Sequence, residues 1–340
     1  MKILQIGAGS MGNRRMRDLS ARDDTEIILF DAWDERRNKA VERFGIKAFD
    51  SLDDALAWGP DTMIVSAGPN AHREFISLAL KEGLNCFCEA SIFGYDHREV
   101  EKVSKEKNIV VVPSQTLFFY PITEVVKKII SEDLGSLLNY SALQYFYVPD
   151  WHPGETSDFY YALNRGTAAG REINPWNLAF LNYVFGCTPI EVMGTVTKRG
   201  DIGVDSEDTW CMQTRLSNGA TGQTVVSMAC KEPKTLFMAA GENGVIEFDL
   251  VGGSIRRMLP GKGIDDTVSV GSLYDVLEEV YANEINRFAD TILGKAEWPF
   301  SYETLAHATA TLAAAEKSAL FNTVEKVNLD ILPAILPDAY

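Results

Sequence analysis

The chain reads as an α/β protein in two parts: a parallel, doubly wound sheet, then an α+β region built on a large, mostly antiparallel open sheet. Three observations predict this. Short apolar runs alternate with helical stretches through the first third. After Pro121 the runs lengthen, and tight-turn dipeptides separate them. Two long helical stretches follow towards the end. At 340 residues the chain exceeds one typical domain. The change of pattern puts the boundary between 1–120 and 121–340, with the two late helices as candidates to pack back on the first domain.

The strand-like runs of the first part are 3–6, 26–30, 62–65, 85–88 and 109–112. Helical stretches lie between them. The stretch 36–44 stops at Gly45. Ser51 and Asp54 form a capping pair for the next. The stretch 71–81 keeps Phe75, Ile76, Ala79 and Leu80 on one face and stops at Gly83, and Asp96 with Glu99 opens another. Short linkers between alternating strands and helices require parallel pairing. In the second part a helix is expected over 122–131. Strands follow over 137–147, 190–197, 209–216, 221–229, 235–239 and 244–249. Asn218-Gly219 and Glu242-Asn243-Gly244 are hairpin turns. Helices over 273–293 and 303–321 come next, and the proline-containing tail from 332 is an extension.

Composition narrows the function classes. Apolar residues make up 46% and charged residues 24%, ordinary values for a globular protein. The net charge of -16 argues against nucleic acid and anionic membrane as partners, because both select a basic surface. A small anion needs only a local positive site. No apolar run approaches the roughly 18 residues of a membrane span, and no leader-like apolar stretch opens the chain, so a cytoplasmic location is expected. The five cysteines are odd in number and scattered, which suits free thiols in a reducing compartment. Cys86 and Cys88 have no second ligand pair near them in sequence, so no metal site is expected.

Gly7-Ala8-Gly9-Ser10-Met11-Gly12 follows the first strand and opens a helix, and Asp31 closes the second strand. This is the context that makes a Gly-x-Gly-x-x-Gly motif specific for a dinucleotide. Gly7 permits the tight turn, Gly9 lets backbone approach a pyrophosphate, and Gly12 lets helix and strand pack closely. The helix N-terminus, with Ser10 and Met11, offers N–H groups to the phosphates. Asp31 can accept from the adenosine ribose and would repel a 2′-phosphate. NAD is therefore favoured over NADP, with Arg36 and Arg37 as the opposing signal.

A second constellation follows. Ser66-Ala67-Gly68-Pro69-Asn70-Ala71-His72 succeeds the third strand of this reading, and Cys88-Glu89-Ala90-Ser91 the fourth. Late in the chain come Glu284-x-x-x-Phe288, Gly294, Glu303 and the alanine-rich run Ala313-Ala314-Ala315-Glu316. This order resembles the Gfo/Idh/MocA family, the glucose-fructose oxidoreductase and inositol dehydrogenase group, over nearly the whole chain. The resemblance implies a Rossmann domain and an α+β domain whose open sheet forms a dimer or tetramer face. It also implies a nicotinamide cofactor and a sugar, cyclitol or sugar-derivative substrate. It puts Ala67, Asn70, His72 and Glu89 on the nicotinamide side.

The chain departs from the family where the chemistry lies. The family's Glu-Lys-Pro is Glu89-Ala90-Ser91 here, so its lysine is missing. Its helix-borne Asp and His correspond to Glu172 and Trp176 in Gly170-Arg171-Glu172-Ile173-Asn174-Pro175-Trp176. Glu172 and His152, the latter in Asp150-Trp151-His152, are the catalytic candidates. Tyr120, Trp151, Arg165, Arg171 and Trp176 are substrate-side candidates, and Lys231 is a candidate replacement ammonium. Three readings stay open. One is an oxidoreductase with a relocated base. Another is an enzyme that oxidises its substrate transiently with tightly held NAD, such as an epimerase or eliminating glycosidase. The last is a redox-inactive dinucleotide- or sugar-binding regulator.

Overall fold

A computed structural model describes residues 1–90, 96–151, 169–203 and 206–330. The chain forms two compact units. The first comprises Met1–Phe119 with Glu278–Glu303, and the second Tyr120–Leu277 with the chain from Thr304 on.

The first unit alternates β1 (Lys2–Ile6), α1 (Ser10–Ser20), β2 (Glu26–Phe30), α2 (Asp34–Phe44), β3 (Lys47–Phe49), α3 (Leu52–Ala57), β4 (Thr62–Val65), α4 (Pro69–Glu82), β5 (Asn85–Cys88), α5 (His97–Lys107) and β6 (Val111–Pro113). All pairings are parallel, in the order β3-β2-β1-β4-β5-β6. The order reverses between β1 and β4, and ligands of such sheets bind at the carboxyl ends of the strands there. Helix punctuation follows the residue types. Gly45 and Gly83 end α2 and α4 in left-handed conformation. Ser51 Oγ accepts from the Asp54 N–H, and Asp96 from the Arg98 N–H. Two details differ from the expected runs. Strand β3 has only three residues and is too short to read as a period. Strand β6 begins at Val111, two residues later than the apolar run. Under the sheet, Ile3, Met16, Leu29, Ile64 and Phe87 pack with Ile285 and Phe288.

The second unit holds α6 (Pro121–Glu132), β7 (Leu137–Tyr147), α7 (Ala169–Phe185), β8 (Pro189–Thr197), β9 (Thr209–Leu216), β10 (Thr221–Ser227), β11 (Ala229–Gly241), β12 (Gly244–Asp249), β13 (Ser254–Leu259) and β14 (Ile264–Ser269). Then come α8 (Leu273–Ile292) and α9 (Tyr302–Phe321), each of which crosses a unit boundary, and β15 (Glu325–Lys326). Among the described residues, nine strands run β14-β13-β12-β11-β7-β10-β9-β8-β15. Every pairing is antiparallel except β7 with β10. Along β9, Trp210, Met212, Thr214 and Leu216 are buried while Cys211, Gln213 and Arg215 are exposed. The buried face meets α7 and α9 through Leu178, Ala179, Val192, Met212, Ala308 and Ala315. Strands β13 and β14 escaped the sequence reading because their alternation is interrupted by charges. Those charges pair across the strands: Arg257 with Asp266 at 2.6 Å, and Arg256 with Asp265.

Candidate active site

The glycine loop of the first unit is built by close contact. Gly7 has φ +87°. A Cβ there would lie 2.7 Å from the Ser66 carbonyl oxygen, and one on Gly12 would lie 2.0 Å from the Gly7 carbonyl oxygen. Neither position admits a side chain. Gly9 differs: a Cβ would meet nothing nearer than Arg36 Nη1 at 4.0 Å, so its outer side is open. Asn13 Nδ2 donates to the carbonyls of Ala8 (2.6 Å) and Gly9 (2.9 Å), which pins the loop from within. Helix α1 begins at Ser10 with no side-chain cap on its first-turn N–H groups. An open glycine before an uncapped helix start fits a pyrophosphate.

Asp31 is buried and braces this loop. Its carboxylate accepts the Ala8 N–H at 2.7 Å on one oxygen and the Trp33 N–H at 2.8 Å on the other. Each oxygen keeps a second lone pair. Arg37 donates to the Asp31 carbonyl at 2.6 Å and pairs with Asp34. Arg36 lies against the Trp33 ring, 5.2 Å from its centroid. Beside Ser10 opens a cavity of about 560 Å³ lined by Arg14, Arg17, Arg36, Lys39 and Arg43, with Glu278 as its acid.

Two further loops adjoin. Ala67 and exposed Gly68 lead into α4, whose first residue is Pro69. Asn70 is exposed, whereas His72 is buried with Nε2 3.0 Å from the Ala67 carbonyl, a bond that requires hydrogen on Nε2. Glu89 follows β5, and its N–H donates to the Val65 carbonyl at 3.0 Å. Ser66 Oγ reaches Glu89 Oε1 at 3.4 Å. Gly7, Gly9, Asp31, Ala67 and Glu89 thus lie in loops after the strand ends, with Ser10, Met11 and Gly12 on the first turn of α1 and Asn70 and His72 on the first turn of α4. Cys86 and Cys88 are buried within β5. Burial pushes the Cys86 thiol up to about 12 and raises that of Cys88 as well.

Arg15 went unnoticed in the sequence. Its guanidinium is fully buried between two carboxylates. Nε and Nη2 donate to Glu89 Oε1 and Oε2 at 2.7 and 3.1 Å, and Nη2 donates to Glu284 Oε2 at 2.7 Å. The available signal was a charge on a core stripe, since Gly12, Arg15, Met16 and Leu19 are all buried on one side of α1.

In the second unit, α7 carries Arg171, Glu172 and Trp176. Gly170 is required at its start, because a Cβ there would lie 2.0 Å from the Trp210 ring. Arg171 is buried and grips Glu316 through Nε (3.0 Å) and Nη2 (3.1 Å). Glu172 and Trp176 are half-buried on a helix whose other residues from Ala169 to Asn182 are buried, and they stand one turn apart on one face. Tyr120 is buried, and its hydroxyl donates to the Gly271 carbonyl at 2.7 Å. Burial, then Asp249 and Asp275, push its pKa up to about 12. Trp151 packs on Phe146 at 5.9 Å between centroids. Lys231 is exposed, with Nζ 5.6 Å from the centre of the Tyr147 ring. His152 and Arg165 lie outside the described residues.

Comparison with known proteins accords with this geometry. Residues 1–113 match the oxidoreductase family with an NAD-binding Rossmann fold, and residues 122–247 match the GFO/IDH/MocA C-terminal domain. The chain belongs to the Gfo/Idh/MocA family. A 138-residue stretch, 39% of the chain, is 30% identical to an uncharacterized oxidoreductase of Streptococcus pneumoniae serotype 4 and spans 37% of that protein's length. Myo-inositol 2-dehydrogenase from Lactobacillus plantarum is similar in structure at a TM-score of 0.79 and 17% identity, over 96% of this chain and 99% of that one. A levoglucosan dehydrogenase in complex with NADH and levoglucosan gives 0.82 and 16%, over 96% and 99%. At these identities the structural likeness establishes the shared fold of this Gfo/Idh/MocA member.

Proposed function

We propose that the protein is an NAD-dependent oxidoreductase acting on a sugar, cyclitol or sugar derivative, through a site that lacks the lysine and histidine of its family. The observation that carries the reading is the glycine cradle: closed at Gly7 and Gly12, open at Gly9, uncapped at Ser10 and braced by Asp31. The relatives named for myo-inositol and levoglucosan support a polyol or sugar as substrate.

Bound NAD would supply the hydride acceptor, and the protons fall to this chain's side chains. Glu172 is the candidate base, since alcohol oxidation needs an acceptor within about 3 Å of the hydroxyl. Trp176, one turn on, offers an apolar face for the C–H side of a sugar ring. NADP is the second reading, favoured by the five cations around the cavity beside Ser10. Asp31 opposes it, because its carboxylate would repel a 2′-phosphate. A second copy of the chain is the proposed partner of the open sheet face, where Met193, Gln213, Gln223, Ser141 and Met238 stand in one cross-strand row.

The test is reduced-nicotinamide absorbance on a panel of polyols with NAD and NADP. A rate with at least one polyol is expected, faster with NAD, and Glu172→Gln should lower it by about 10²-fold or more. Substrate conversion with tightly held cofactor and no net reduction would favour transient oxidation. Failure to bind either dinucleotide would overturn the enzyme reading.

A further inference from the structure

We propose that Arg15 is a positioning residue for the nicotinamide half of the dinucleotide groove. The inference rests on the dinucleotide-binding reading and deepens it. In a sheet ordered β3-β2-β1-β4-β5-β6 the adenosine half lies towards β2, beside Asp31, and the other half lies across the switch point over β4 and β5. Glu89 leaves the end of β5 on that second side. Its carboxylate does not point freely into the groove: Arg15 holds both of its oxygens in a two-pronged bond.

Arg15 is itself fixed from behind. Glu284 on α8 accepts from Arg15 Nη2 at 2.7 Å, Ser114 Oγ at 2.9 Å, the Gln115 N–H at 2.6 Å and Thr116 Oγ1 at 3.1 Å. Arg15 Nη1 donates to the Tyr281 carbonyl at 3.1 Å. The Phe87 ring centre lies 4.8 Å from the guanidinium carbon. The guanidinium therefore has one orientation, and that orientation sets Glu89. Glu89 in turn adjoins the β4 loop, through its N–H on the Val65 carbonyl and through Ser66 Oγ. One buried cation on the glycine-loop helix thus ties the turn after β5 to the loop after β4. With both oxygens held by Arg15, Glu89 serves as a strut between the two loops. Such supporting groups fix the shape of a site without touching its ligand.

The test compares two ligands on wild type, Arg15→Met, Arg15→Lys and Glu89→Gln. NADH is followed by the fluorescence of its nicotinamide. ADP-ribose, which has the adenosine half and both phosphates but no nicotinamide, is followed by calorimetry. Arg15→Met and Glu89→Gln should weaken NADH by about tenfold or more while leaving ADP-ribose affinity intact, and Arg15→Lys should recover part of the loss. Equal loss of both ligands would reduce Arg15 to a general stabiliser and overturn the proposal, as would unchanged NADH affinity. If Arg15→Met does not fold, Glu89→Gln carries the same comparison. Wild type that binds neither ligand would overturn the dinucleotide reading itself.

Discussion

Each unit contains a buried arginine beside the residues that suggest chemistry, and the two are built differently. Arg15 shares one guanidinium between Glu89 and Glu284, and Glu284 takes three further donors. Arg171 grips Glu316, which also receives the Trp210 Nε1–H at 3.4 Å. The first is a hub joining α1, the turn after β5, α8 and the 114–116 segment. The second is a tie between α7 and α9. A hub transmits the loss of any member to several loops, while a tie transmits it to one helix contact. The sequence drew attention to Arg171, as a possible grip on substrate, and passed over Arg15.

The largest effect should come from removing each arginine. Taking one partner from a buried pair costs about 3–5 kcal/mol, because the other charge is left uncompensated. Arg15→Met strands two carboxylates, one of them fully buried, and should cost about 5 kcal/mol, the top of that range. Arg171→Met strands the slightly exposed Glu316 and should cost about 3 kcal/mol. Urea unfolding of both variants measures the difference. Equal costs, or a larger one for Arg171→Met, would break the distinction between hub and tie.

The contrast also explains what could be read from sequence. Period and punctuation exposed many strands and helices of both units, though not β3, β13, β14 or β15, because a core face imposes alternation and Gly45, Gly83 and Asn218-Gly219 mark the turns. The glycine loop was legible because its signal is local: Gly7, Gly12 and Asp31 all fall within one βαβ segment, although the contact that bars a side chain at Gly7 comes from Ser66 after β4. Partners far apart in the chain were not legible. Arg15 and Glu284 stand 269 positions apart, and Arg171 and Glu316 stand 145 apart. A lone arginine in a list of residues reads equally as a ligand contact or as a pair. Only folding showed that Arg171 and the Tyr120 hydroxyl meet protein partners, and that Glu172 and Trp176 share a half-buried face of α7.

A smaller effect, with a definite sign, belongs to Glu284. Burial raises its pKa above the ordinary carboxylate value, Arg15 opposes the rise and Glu89 adds to it, and the net shift is upward. An acid whose pKa is raised in the folded state binds its proton more tightly there than when unfolded. Its contribution to stability is therefore fully present below the unfolded value of about 4.3, and it is lost as the pH rises through the folded value. Glu284→Gln has no such proton. The melting temperature of wild type minus that of the variant should fall as the pH is raised from 4 through that window, then level off. A difference that grows with pH would show that Arg15 dominates the carboxylate and lowers its pKa.

The smallest effect is expected from Ser66→Ala, and it sharpens the hub most. Ser66 touches Glu89 by a 3.4 Å hydroxyl contact, long for a bond to a carboxylate, while Arg15 holds both carboxylate oxygens at 2.7 and 3.1 Å. What the fold requires of Ser66 is its backbone. Its N–H donates to the Ile6 carbonyl at 2.8 Å, and its carbonyl oxygen would meet any Cβ on Gly7 at 2.7 Å. Alanine preserves both features. Stability should change by no more than about 0.5 kcal/mol, and NADH affinity should stay at the wild-type level. A substantial loss of NADH affinity in Ser66→Ala, with stability unchanged, would mean that the hydroxyl aims Glu89. The positioning role would then pass from Arg15 on α1 to the loop after β4.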